Sequence, residues 1–149
     1  MGATFTAYRM VVLGRRDMGY GSVHAVRMDL LAHAGKMCGV GTDWSDRYGR
    51  ALTSFHGDEI LDPLFKEMED RAIAIHGSAE WEILVGVIAF CNHPDCGGDF
   101  YCQDCEYIAK AMRSALDSMG TGVHGRKNME CLYEIFKSAS EDECRMEIS

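Results

Sequence analysis

The residue types best suited to chemistry are gathered between Cys91 and Cys105, in the stretch CNHPDCGGDFYCQDC. Four of the seven cysteines, one His and three Asp fall within these fifteen positions. His93, Cys96, Cys102 and Cys105 read as H-x2-C-x5-C-x2-C. Zinc takes four such ligands in a tetrahedron, and each closely spaced pair can span one edge of it. Gly97 and Gly98 would let the backbone fold tightly between the two pairs.

The same residues can be counted as a calcium loop. With His93 at position 1, Asp95 falls at 3, Gly97 at 5, Gly98 at the glycine position 6, Phe100 at 8 and Asp104 at 12. The spacing fits an EF-hand-like turn, but His and Gly stand where oxygen ligands are needed, and Asp104 replaces the longer bidentate Glu. Calcium is therefore disfavoured, although the turn shape needs no ion. A third reading is purely structural. Asp95 and Asp99 shape the turn through side-chain to backbone bonds, Asp104 sits at a helix start, and the cysteines serve as small buried apolar groups. Zinc and the structural reading both stand at this level.

Catalytic alternatives are thinner. His24 and His33 lie near one face of a helical segment but have no acid or nucleophile at useful spacing, and His56, Asp58 and Glu59 share a polar stretch. Cys96 or Cys105 could act as nucleophile with His93 as base. There is no phosphate-cradling glycine loop, nucleophile elbow or H-E-x-x-H pair. An enzyme is the less favoured class.

The turn must be held by the elements around it. Trp81 to Phe90 leads in as an apolar run, and Tyr107, Ile108, Ala111, Met112, Ala115, Leu116 and Met119 lead out at three- and four-residue steps. A helix, turn and helix over residues 78–120 is expected. The apolar run also fits a buried strand, and helix is preferred because its neighbours are helical. Upstream, Ser22 stands at an N-cap position, and Val23, Val26, Leu30, Leu31 and Ala34 follow at helical spacing up to Gly35. Asp62 and Pro63 signal the start of a helix that continues through Leu64, Phe65, Met68, Ala72 and Ile75. A last helix spans about Asn128 to Ser138, with Leu132, Ile135, Phe136 and Ala139 inward. Thr4 to Leu13 is a possible short strand, an extended arm or the start of a helix, and Gly14 to Gly21 reads as a turn. Residues 36–57 form either a long loop or a helix around Ser45 to Ser54, with Trp44, Tyr48 and Phe55 expected as pegs into the core. The tail, residues 141–149, is polar and expected to fray. The expectation is an all-α fold, a single-domain bundle of about five helices over residues 1–149.

A chain of 149 residues with 47% hydrophobic content can bury one core. Its net charge of -8 is uneven. Residues 61–149 carry eight Lys or Arg against seventeen Asp or Glu, a balance of -9 that opposes phosphate backbones and anionic membranes. No apolar run is long enough for a membrane span or an export signal, so a cytoplasmic location with reduced thiols is expected.

The segments MGYGSVHAVRMDLLAHAG and CNHPDCGGDFYCQDCEYIAKAM resemble a group of small, uncharacterised actinobacterial and actinophage proteins with a similar first helix and a His-x-Asp-Cys turn that ends in Asp-Cys. The likeness covers roughly a third of the chain. His93, Asp95, Cys96, Gly98, Asp104 and Cys105 match the shared pattern. Gly97 replaces an acidic residue, and Cys102 is peculiar to this chain. The resemblance implies a phage or mobile-element accessory protein and no particular activity. Two functional expectations follow. One is a helical interaction protein with a protein partner, whose turn is a structural or zinc-stabilised scaffold. The other is a small thiol- or metal-dependent enzyme using the same turn.

Overall fold

Among the described residues, six helices and four short strands follow one another in an order that pairs a strand near the start of the chain with one near its end. The computed structural model describes residues 2–8, 12–93, 99–120, 125–141 and 145–148. In chain order these are β1 (Gly2–Tyr8), β2 (Val12–Gly19), α1 (Tyr20–Met37), α2 (Asp43–Leu52), α3 (Gly57–Ala74), α4 (Ala79–Cys91), β3 (Asp99–Phe100), α5 (Cys102–Ser118), α6 (Arg126–Glu141) and β4 (Arg145–Ile148). The chain is a mainly helical bundle with an N-terminal strand, as expected, and one hydrophobic cluster runs through all six helices and β1.

The sheet is larger than the sequence suggests. Its order is β2-β1-β4-β3, with every neighbour antiparallel. Residues 12–19, which read as the end of a strand followed by a turn, form β2, with Gly2 opposite Gly19 and Phe5 opposite Arg16. The close approach in this pair is at Gly2, where a Cβ would run into the Met18 carbonyl oxygen and the Gly19 Cα. On β1, Ala3 and Phe5 are buried and Thr4 and Thr6 are not, the two-residue alternation of a half-buried strand. The tail is a second correction. Residues 145–148, expected to fray, form β4, which pairs Phe5 with Ile148 on one side and Phe100 with Met146 on the other. Ladder hydrogen bonds come from the main chain, so a polar tail can join a sheet when a partner edge is presented.

In α1 the buried stripe is Val23, Val26, Arg27, Leu30, Leu31, Ala34 and Gly35. Gly35 does not end the helix. A Cβ there would lie 2.2 Å from the Gly41 carbonyl oxygen, so this glycine admits the crossing loop. The reversal is made by Gly39 and Gly41, whose φ values of 79° and 64° suit glycine. The helix alternative for residues 36–57 is the correct one. Trp44, Ser45, Tyr48 and Ala51 line the buried face of α2, while Phe55 beyond it is fully exposed. α3 starts at Gly57, earlier than Asp62, and carries Pro63 inside it on the solvent face. The Glu59 carbonyl, deprived of its usual donor there, belongs to an exposed residue that water can serve.

Ser78 caps α4, its Oγ accepting from the Trp81 amide at 3.1 Å. The apolar run is thus a helix, and it packs closely against α5. A Cβ on Gly86 would lie 2.1 Å from the Tyr107 carbonyl oxygen. These two helices and β3 set the frame of the turn.

Candidate functional site: the Cys/His turn and the buried arginine beneath it

The turn begins where α4 ends. Cys91 is the last residue of that helix, Asn92 is its C-cap and His93 follows. Residues 94–98, which include Asp95, Cys96, Gly97 and Gly98, lie outside the described residues. The chain is described again at β3, and Tyr101 then serves as N-cap of α5, which opens with Cys102.

Phe100 is the hinge between turn and core. It is fully buried and stacks on Phe90 with centroids 6.3 Å apart, while the Phe136 ring meets it edge-on at 5.2 Å. The His93 ring stacks on its other neighbouring space at 3.9 Å and 25°. His93 is therefore oriented by an aromatic contact.

Under the turn lies Arg27, 2% exposed. Its Nη2 donates to the His93 carbonyl at 2.7 Å and its Nη1 to the Tyr48 hydroxyl at 3.3 Å, and the guanidinium sits 5.5 Å from the Phe90 ring centre. Tyr48 in turn meets His24 Nδ1 at 3.1 Å. One arginine thus ties α1, α2 and the end of α4 together, which a lysine ammonium could not do in the same planar geometry. Sequence reasoning missed Arg27. Its signal was a charged residue at i+4 from Val23 and at i-3 and i-4 from Leu30 and Leu31, inside an apolar stripe.

The cysteines of the turn differ in setting. Cys91 is buried and its thiol donates to the Arg27 carbonyl at 3.7 Å. Burial pushes this thiol up to about 12, with the Arg27 guanidinium acting more weakly in the opposite sense. Cys105 is fully buried, its thiol directed to the Phe100 carbonyl at 4.0 Å, whereas Cys102 is only half-buried. Of the four residues expected to hold zinc, Cys96 is outside the described residues. Among the described residues no three His, Cys, Asp or Glu side chains converge as a metal-holding group, so His93, Cys102 and Cys105 do not form one by themselves. Their present surroundings are Phe100 and the core.

The other candidates are dispersed. His33 Nε2 meets Ser114 Oγ on α5 at 2.8 Å, so the two histidines of α1 serve different helices. His56 and Glu59 form an exposed pair at 3.9 Å. An apolar cleft of about 420 Å³ opens between α3 and α4, lined by Glu69, Ala72, Ile73, Val85, Ile88 and Ala89, with Ile73 74% exposed. Among the described residues no helix is long and apolar enough to cross a membrane.

The described residues define a mainly helical bundle with a small sheet, against whose core His93, Phe100 and Cys105 are packed. No family model, curated protein or solved structure matches the chain.

Proposed function

We propose that this is a small helical interaction protein, of the accessory kind carried by phages and mobile elements, in which the Cys/His turn is an internal scaffold. The observation that carries the scaffold reading is the bond from buried Arg27 to the His93 carbonyl, which fastens the turn to α1. The desolvated thiol of Cys91, held protonated by its burial, favours packing over nucleophilic chemistry at that position. The accessory character rests on the resemblance of the first helix and the turn alone. A protein partner is supported by the apolar cleft between α3 and α4, since exposed apolar surface of this kind suits a partner's side chains.

Metal analysis of untagged protein, with melting recorded before and after chelation, tests the scaffold. A protein-only scaffold gives no stoichiometric zinc and an unchanged melting temperature. Stoichiometric zinc and a marked loss of melting temperature on chelation would make it the zinc-stabilised form, held by His93, Cys96, Cys102 and Cys105. Rapid alkylation of Cys91 and Cys105 in the folded protein would remove the scaffold reading in favour of a thiol enzyme. For the partner, wild-type and Ile73→Glu baits are compared, and a protein captured equally by both does not use the cleft.

A further inference from the structure

The last four residues of the turn, Cys-Gln-Asp-Cys, combine two thiols of opposite accessibility on one helical turn. Cys102 is the first residue of α5 and half-buried, next to a Tyr101 that is 75% exposed. Cys105 is three residues on and fully buried. Residues three apart on an α-helix have Cα atoms roughly 5 Å apart, from the rise and radius of the helix. A disulfide spans Cα separations of about 4.4 to 6.8 Å. The pair is therefore within bridging distance with its helix intact, the Cys105 amide donating to the Tyr101 carbonyl at 2.9 Å.

We propose that Cys102 and Cys105 form a reversible dithiol–disulfide pair that reduces accessible low-molecular-weight disulfides. The Cys102 thiolate attacks one sulfur of the external disulfide. The external S–S bond breaks, a mixed disulfide forms at Cys102, and one thiolate leaves and takes up a proton from water. Cys105, having given its proton to water, attacks the Cys102 sulfur and expels the second thiolate. In balance, the protein loses two hydrogens, its two sulfurs are oxidised, and one external disulfide becomes two thiols. The accessibility order assigns the roles, because of this pair Cys102 is the one that can meet an external disulfide, and Cys105 stands on the same turn to resolve it. Oxidation also removes the hydrogen that Cys105 directs to the Phe100 carbonyl, so the redox state is felt at β3. The inference does not rest on the scaffold reading, and it concerns two residues that a bound metal would occupy.

The test uses full-length protein, reduced, treated with chelator and desalted, then exposed to glutathione disulfide, quenched in acid and mapped by tandem mass spectrometry. The expected product is a Cys102–Cys105 disulfide with release of reduced glutathione. Resolution is intramolecular, so glutathione attached at Cys102 should accumulate about tenfold or more in Cys105→Ala over wild type. Cys102→Ser should take up no glutathione at Cys105. Three results overturn the proposal: no disulfide in the wild type, a disulfide that joins Cys96 to either residue, or equal glutathione adducts in wild type and Cys105→Ala. Mapping of the wild type needs no variant, so a Cys105→Ala protein that fails to fold leaves a decisive result.

Discussion

Arg27 Nη2 donates to the main-chain carbonyl of His93 at 2.7 Å, across sixty-six positions of sequence, and this bond joins the middle of α1 to the start of the turn. The carbonyl lies just past a helix C-terminus, where main-chain acceptors outnumber donors and a cation is favoured. The same guanidinium reaches Tyr48, so loss of the side chain would remove a donor from two polar groups.

Arg27→Met should therefore cost about 2 to 4 kcal/mol, most of it from the two lost hydrogen bonds to buried or part-buried acceptors. Arg27→Lys should recover little, because a single ammonium cannot serve both acceptors in the fork geometry. Urea unfolding of the three proteins measures this, and a lysine variant as stable as wild type would contradict the account.

Gly86 is a contact point between helices. Gly86→Ala should destabilise by about 1 to 3 kcal/mol, or more if the helices cannot separate, because the new methyl meets the Tyr107 carbonyl and the Ala111 methyl. Gly21→Ala, in the first turn of α1 with nothing within 4 Å, should instead stabilise by about 0.5 to 1 kcal/mol. Opposite shifts in melting temperature are the expected result.

Alkaline stability should depend on Cys91. Its thiol titrates near 9.0 when unfolded and at about 12 when folded, so above pH 9 the folded state holds a proton that the unfolded state has lost. That contribution is complete below pH 9 and is lost as the pH rises toward 12. Urea midpoints of wild type should fall over this window, and those of Cys91→Ala should fall less steeply.

Histidine 33 acts at the other end of the scale. Burial first, and Lys36 second, hold its imidazole below the usual 6.5. The unfolded state then takes up the proton first, so its contribution is present above 6.5 and is lost as the pH falls below that value. An NMR titration should show the His33 imidazole protonating below 6.5.

Trp44 and Phe55 separate a core peg from a surface aromatic. Trp44 is fully buried and donates from Nε1 to Glu67 at 2.6 Å. Trp44→Ala should cost about 3 to 5 kcal/mol, and Phe55→Ala should stay within about 0.5 kcal/mol. Similar losses at both positions would mean that the segment packs differently.

What the sequence determined by itself was the helical content and most of the inward faces. Val23 to Ala34, Leu64 to Ala72, Ile108 to Leu116 and Leu132 to Ala139 are buried where their spacing put them. Such spacing is a local property, because each residue's face follows from the 3.6-residue period. The concentration of reactive residue types in residues 91–105 is likewise a property of the sequence. Only the tertiary structure decided that the tail becomes β4 between β1 and β3, that Gly35 and Gly86 are close-approach points, and that Arg27 holds the turn. Each of these depends on a main-chain group brought close from elsewhere in the chain. Main-chain donors and acceptors are the same at every position except proline, so the residue letters carry no sign of which of them will meet.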